Sequence, residues 1–246
     1  ETRLSCPSIA SNPRHVLIAG GGPAGLKAAV VAAQSGHCVT LCEASAQLGG
    51  QANLATLLPG RAEFGGLITN LTHELAQLDA SVRLNTRVTR ALVEELSPDV
   101  VILATGSQAY RPLIEGAKEA HIVDAHQVLR KQVDPGGRVL VADWRCDWVG
   151  IGIAEKMALA GRSVRLVVNG IQAGMELQPY QRDHLVGKLH RAGVEIIPYA
   201  RLFGVDANTA FLSHTITGDA IICEAVDTVI LAYGTSSDTW LEENLA

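Results

Sequence analysis

Apolar residues along this chain fall into short blocks that alternate between strand-like runs and helical spacing, with glycines marking most of the joins. His15–Ala19 reads as a buried strand, Pro23–Ser35 as an Ala- and Val-rich helix stopped by Gly36, and Cys38–Cys42 as a second strand. A loop carrying Leu48-Gly49-Gly50-Gln51 follows. An amphipathic helix is then expected from Gly65 to Leu78, with Leu67, Leu71, Leu75 and Leu78 on one face. Strands are predicted at Val82–Leu84 and Val100–Ala104, the latter running into Thr105-Gly106. Pro112 to Gly137 is a connection with one helix near Ala125–Lys131.

The rhythm restarts at Arg138. Val139–Ala142 is a predicted strand, Ile151–Ala160 a helix ended by Gly161, and Val164–Val168 a strand. A helix over Pro179–Ala192 and a strand at Val194–Ile197 follow. Alternating segments at Arg201–Val205, Thr209–Ser213 and Ala220–Cys223 predict an antiparallel meander. Val229–Ala232 then closes on Tyr233-Gly234-Thr235, an echo of Ala104-Thr105-Gly106. The pattern is α/β: two Rossmann-like nucleotide-binding domains, the second inserted into the first. The expected boundaries are 1–115 for the first part of the first domain, 116–229 for the second domain, and 230–246 for the return.

Composition supports buried parallel strands. Hydrophobic residues make up 48% and aromatics only 4%, so the core must rest on Val, Ile, Leu and Ala. A net charge of −5 without a basic run argues against nucleic acid or an anionic membrane as partner. No apolar run is long enough to span a bilayer, and no signal peptide is visible, so a cytoplasmic protein is expected. Without an initiator Met, Glu1 reads as the start of a fragment or processed subunit. The five cysteines form no Cys-x-x-Cys pair, which speaks for reduced, structural thiols and against a disulfide reductase. Cys38 and Cys42 are expected on one strand face as buried thiols, and Cys6 as an ordinary thiol. The eight histidines are scattered and no metal site is expected. Glu94-Glu95 and Glu242-Glu243 read as solvated helix faces. No nucleophile motif is present.

The chemistry lies in Gly20-Gly21-Gly22-Pro23-Ala24-Gly25 directly after the first strand. Gly20 permits the tight turn, Gly22 lets a pyrophosphate approach the backbone, and Gly25 lets helix and strand pack closely. The helix N-terminus offers N–H groups and partial positive charge to the phosphates. Glu43 ends the second strand, where its carboxylate can accept hydrogen bonds from the adenosine ribose and repel a 2′-phosphate. Strand, glycines, helix, second strand and acid fall in order, so FAD, or alternatively ADP, is expected here. The candidate cofactor-binding set is Gly20, Gly22, Pro23, Ala24, Gly25, Glu43, Ala44, Gly50, Gln51, Arg61, Val88, Ala104, Thr105 and Gly106, and Arg111 is a further phosphate candidate. The second half departs from this plan: Asp143-Trp144-Arg145-Cys146-Asp147-Trp148-Val149-Gly150 stands where a nicotinamide site needs glycines and no negative charge. The second domain is therefore expected to have a degenerate nicotinamide site. An unusual binding mode at Gly150-Ile151-Gly152 is the alternative.

The run Gly20–Gly25, with Leu48-Gly49-Gly50-Gln51-Ala52-Asn53-Leu54-Ala55 and Leu58-Pro59-Gly60, resembles the C-terminal half of the trimethylamine dehydrogenase and 2,4-dienoyl-CoA reductase family. The resemblance covers nearly the whole chain. Asp143 to Trp148 followed by Ala154-Glu155-Lys156 is similar to the amine dehydrogenase branch and to N-methyl amino acid demethylases. It implies a flavin-dependent oxidoreductase acting on C–N bonds, with FMN and a 4Fe–4S cluster in a TIM-barrel portion of the same polypeptide or another chain. It also implies an electron-transfer flavoprotein as acceptor and an oligomeric assembly. The barrel, the cysteine cluster and the C-terminal Gly-Asp segment are not in this sequence, so no catalytic residue is assigned. Two other readings stand beside this one. They are an NAD(P)H-dependent ene-reductase of the dienoyl-CoA reductase type and a non-catalytic nucleotide-binding assembly or docking module.

Overall fold

In the computed structural model the chain is described over residues 9–118 and 120–245. Cys6 lies outside the described residues. The chain divides into two compact units, residues 1–108 with 237–246, and residues 109–236. The crossings thus fall at 108/109 and 236/237, where the sequence pattern placed them at 115/116 and 229/230.

In the first unit β1 (His15–Ala19) leads to α1 (Pro23–Gln34) and β2 (Cys38–Cys42), followed by α2 (Gln51–Ala55) and α3 (Phe64–Ala76). Then come β3 (Ala80–Arg83), α4 (Arg90–Leu96), β4 (Val100–Leu103) and β5 (Ser107–Ala109). The sheet order is β3-β2-β1-β4, all parallel. Alternation along β1 sorts its side chains between two layers. Val16 and Ile18 pack with Leu26 and Val30 of α1 and with Ile68, Leu71 and Leu75 of α3. Leu17 and Ala19 meet Val88, Leu92 and Val93 on the other face, together with Leu241 and Leu245 from the end of the chain.

The second unit opens with β6 (Ile122–Asp124), α5 (Ala125–Leu129), β7 (Arg138–Asp143), α6 (Trp148–Leu159), β8 (Ser163–Val168), α7 (Pro179–Arg191) and β9 (Glu195–Ile197). It continues through β10 (Ala200–Asp206), β11 (Thr209–His214), β12 (Ala220–Cys223), β13 (Thr228–Ala232) and β14 (Thr235–Ser237), and α8 (Trp240–Leu245) belongs to the first unit again. Its parallel sheet runs β6-β13-β7-β8-β9, and β10-β11-β12 form the expected antiparallel meander. Leu140, Ala142, Val167, Val229 and Leu231 pack against Leu202, Ala210 and Leu212 of the meander. The sequence placed β13 correctly as a strand, and it is fully buried between β6 and β7.

Several expectations need correction. The buried stripe of α3 is Ile68, Leu71 and Leu75, while Leu67 is 47% exposed, because the helix starts at Phe64 and turns Ile68 toward the sheet. Cys38 is exposed and, of the two, only Cys42 is buried: Cys38 opens β2 opposite His15, whereas Cys42 ends it and packs with Leu17 and Ala19. Helix α6 begins at Trp148, three residues before Ile151, because Asp147 caps it by accepting a hydrogen bond from Val149 N–H at 2.7 Å. Gln51 starts a short helix rather than closing a loop. Helix α4 was not expected. It buries no residue fully, so it lacks the apolar stripe that betrays a helix, although Thr89 caps it by accepting from Leu92 N–H.

Among the described residues, no helix is long and apolar enough to cross a membrane, and no three His, Cys, Asp or Glu side chains gather as a metal-ligand set.

Candidate nucleotide-binding site

The glycine loop takes the conformation that its composition demands. Gly20 adopts φ +115°, a region that side chains avoid, and a Cβ there would overlap the Ala104 carbonyl. A Cβ on Gly25 would overlap the Gly20 carbonyl oxygen, so α1 can lie this close to β1 only with glycine in its first turn. At Gly22 a Cβ would meet nothing within 4 Å, which leaves the backbone open on that side. Gly22 is the N-cap residue of α1, no side chain caps the helix, and Pro23 occupies its first turn. The partial positive charge of a 12-residue helix therefore faces an uncapped glycine turn. The residues present fit a pyrophosphate.

Glu43 is bound into the same loop. One carboxylate oxygen accepts from Gly21 N–H at 2.7 Å and the other from Ser45 N–H at 2.7 Å. Each oxygen keeps a lone pair for a ribose hydroxyl. A cavity of about 130 Å³ opens beside it, lined by residues from both ends of the unit. Gly20, Glu43, Ala44, Val88 and Thr105 of the expected set lie on its wall. Ala104 N–H donates to Ala19 O at 2.9 Å and holds β4 against the loop. Gly106 adopts φ +76° and its carbonyl accepts from Asp238 N–H at 3.0 Å. Burial pushes the Cys42 thiol, also on the wall, above its ordinary value despite the nearby Arg83 cation.

The Gly-Gly-Gln loop folds over the glycine turn. Gly49 N–H donates to Gly21 O at 2.8 Å, and a Cβ on Gly50 would lie 3.1 Å from Gly22 Cα. The Gln51 amide donates to Ser107 O at 2.6 Å and to Ser107 Oγ at 2.9 Å. Two arginines are placed otherwise. Arg61 stands over the Phe64 ring at 6.0 Å and does not line the cavity. Arg111 donates to Asp124 Oδ2 at 2.7 Å and also to Gln127, in a capping box of α5, so its fork is already engaged. Sequence reasoning missed Arg87, Asp238, Trp240 and Leu241, all on the cavity wall. The available signal was Asp238-Thr239-Trp240, an acid two residues before a short terminal helix.

The matching corner of the second unit is closed. Asp143 ends β7, is 2% exposed, and its Oδ1 accepts from Arg145 N–H at 3.1 Å and Cys146 N–H at 2.9 Å. Its Oδ2 is buried without a partner among the described residues. A Cβ on Gly150 would overlap this carboxylate, so Gly150 serves strand–helix packing, and Gly150 and Gly152 are both buried within α6. Burial raises the Asp143 carboxyl to about 7, helped by the Asp147 charge and opposed by the Cys146 and Arg145 N–H groups. Burial likewise pushes the Tyr233 hydroxyl up to about 12, and its ring lies 6.0 Å from that of Trp144. Two carboxylates and bulky side chains occupy the turn into α6, and a pyrophosphate does not fit them.

An open glycine turn on a parallel sheet, an acid at the end of the second strand and a cavity beside it define a dinucleotide-binding protein. The chain belongs to the pyridine nucleotide-disulphide oxidoreductase family, matched over residues 14–246. It is 38% identical over 167 residues to N,N-dimethylglycine/sarcosine dehydrogenase of Chromohalobacter salexigens, covering 65% of this chain and 24% of that protein. It is 32% identical over 221 residues to bilirubin reductase of Mediterraneibacter gnavus, covering 90% of this chain and 34% of that protein. Histamine dehydrogenase from Rhizobium sp. 4-9 shares the fold with a TM-score of 0.91 at 24% identity, over 97% of this chain and 38% of that one. The chain thus spans only 24% and 34% of the length of those two curated relatives.

Proposed function

We propose that this chain is the FAD- or ADP-binding portion of a flavin-dependent oxidoreductase that oxidises methylated amines or N-methyl amino acids. In this reading electrons leave to an electron-transfer flavoprotein and do not enter from a nicotinamide. The observation that carries it is the contrast between the open, uncapped turn into α1 and the turn into α6, filled by Asp143 and Asp147. Likeness to N,N-dimethylglycine/sarcosine dehydrogenase supports the C–N substrate class.

The turn at Gly20–Gly25 and α1 would hold the pyrophosphate, and Glu43 would hold the ribose hydroxyls. Bound FAD supplies the redox chemistry; this chain supplies binding, orientation and a dry wall. FMN and a 4Fe–4S cluster belong, in this reading, to a barrel portion of the same polypeptide or of a partner chain.

The test is to denature the native assembly, identify the released nucleotides by mass, and titrate the intact assembly with NADH. Released FAD or ADP with no NADH-driven bleaching of the flavin is the expected outcome. Rapid stoichiometric reduction by NADH would overturn the electron route. It would favour the ene-reductase reading, to which the likeness to bilirubin reductase lends weight. Release of ADP alone, from an assembly without any amine-reducible flavin, would leave a docking module.

A further inference from the structure

We propose that Trp240 and Arg87 form the base-recognition wall of the nucleotide cavity, a paired indole and guanidinium against which the adenine ring packs. The inference rests on the reading of the glycine turn as a nucleotide site and names what selects the base. The Arg87 guanidinium carbon stands 4.7 Å from the Trp240 ring centroid, and both residues line the same cavity as Gly20 and Glu43. Packing within the unit does not explain the indole. Leu241, the next residue, is the core anchor at 2% exposure, whereas Trp240 remains 41% exposed at the cavity rim. Nor does Arg87 make an ion pair with any described carboxylate, so its charge and plane are engaged by the ring alone.

Both residues are fixed from behind. Asp238 N–H donates to Gly106 O, Thr105 Oγ1 donates to Asp238 O at 2.8 Å, and Asp238 Oδ1 accepts from Trp240 N–H at 3.3 Å. On the other side Thr86 N–H donates to Glu43 O at 2.8 Å, which ties the segment before Arg87 to the end of β2. The returning tail is thereby clamped to the loop after β4, and the indole is held on the wall of the cavity that Glu43 also lines. With the Arg87 guanidinium already over the indole, the cation and the exposed part of the ring present one surface, which suits the packing of a flat, electron-rich purine against it.

The experiment titrates the protein, freed of bound nucleotide, with ADP by calorimetry and by tryptophan emission, and with inorganic pyrophosphate as a probe lacking the base. Trp240→Leu should weaken ADP by about tenfold or more while pyrophosphate binding is unchanged, and Trp240→Phe should restore most of the affinity. Arg87→Ala should weaken ADP by roughly threefold to tenfold, with pyrophosphate again unchanged. ADP should quench the parent's emission, and Trp240→Phe should remove that quench. If Trp240→Leu does not fold, Arg87→Ala and Trp240→Phe carry the test. Unchanged ADP affinity in the folded variants, with ADP still bound, would overturn the wall and leave the nucleotide site standing. Failure of the parent to bind or release any adenine nucleotide would overturn both.

Discussion

The turns into α1 and α6 stand on one plan, a buried parallel strand feeding a 12-residue helix, and differ in what completes the helix N-terminus. At α1 no side chain among the described residues caps the helix: Gly22 has none to offer, and the space beside it is open. At α6 the chain supplies its own anions, Asp147 as cap and Asp143 behind it. The N–H groups of a helix end must be met by something. In the proposed reading a ligand anion would answer that demand in the first unit, where the Asp147 carboxylate answers it in the second. A glycine at the third residue of the helix is common to both, and packs on a carbonyl at Gly25 and on a carboxylate at Gly150. Glycine at that place therefore reports strand–helix packing, and only the residues before it report whether a phosphate can bind.

The largest expected effect tests the shared packing role. Gly25→Val drives branched carbons into the Gly20 carbonyl, which cannot move without breaking the turn. The loss should exceed the roughly 1–3 kcal/mol of ordinary overpacking. Thermal unfolding should show a strongly lowered Tm, and the purified assembly should contain no adenine nucleotide. A near-parental Tm with full nucleotide content would show that the approach of α1 to β1 is not what fixes this loop.

The next sharpens the second unit. The Asp143 carboxyl lies near 7 in the folded chain against an ordinary value near 4, so the folded state holds a proton that the unfolded state has released between those limits. Stability is then highest at the acid side of that window and falls as pH rises from about 4 through about 7. Asp143→Asn keeps an oxygen for Arg145 and Cys146 N–H and has no charge to bury. It should remove the slope and raise stability at pH 8 by up to about 4 kcal/mol. Denaturant titrations of both proteins from pH 5 to 8 decide this, and equal slopes would refute it.

Converting one turn toward the other is a binding effect of intermediate size. Gly22→Asp meets no steric obstacle, since the space around Gly22 is open, but it would cap α1 as Asp147 caps α6 and set a carboxylate where the proposed phosphates would lie. A like charge at about 4 Å in a partly dry site costs a few kcal/mol, so nucleotide affinity should fall by about 100-fold with Tm preserved or raised. Calorimetry with ADP beside a melting curve separates the two terms.

What the sequence disclosed follows the same division. β1, β2, β8 and the meander were legible because alternation and continuous apolar runs are local. So were the glycines, whose φ values and close approaches are demanded by the turn itself. The engagement of Arg111 by Asp124 and Gln127 was not, because a cation's partner is set by the fold and not by its neighbours in sequence. The pairing of Arg87 with Trp240 was hidden for the same reason, as the tail reaches the cavity through its hydrogen bonds to Thr105 and Gly106 and the packing of Leu241. Helix α4 was missed because its stability is drawn from a cap and partial burial, not from a stripe. Local geometry thus revealed where a phosphate can come, while the walls that select its attached groups belong to tertiary structure.

The smallest expected effect asks which acid closes α6. Asp147→Ala removes the side-chain oxygen that accepts from Val149 N–H and leaves Asp143 in place. Loss of an N-cap costs about 1 kcal/mol, so the second unit should melt slightly earlier. It also withdraws a charge that helps to raise the Asp143 carboxyl, so that group should titrate lower and the pH slope of stability should shrink a little. No nucleotide affinity should appear at α6, because the buried carboxylate of Asp143 still fills the turn. Measured together, a small fall in stability, a shallower pH profile and no binding of ADP or NADH at this turn would place the obstruction at Asp143 and the cap at Asp147. Binding of NADH by Asp147→Ala alone would reverse that division and make the cap the only barrier between the two turns.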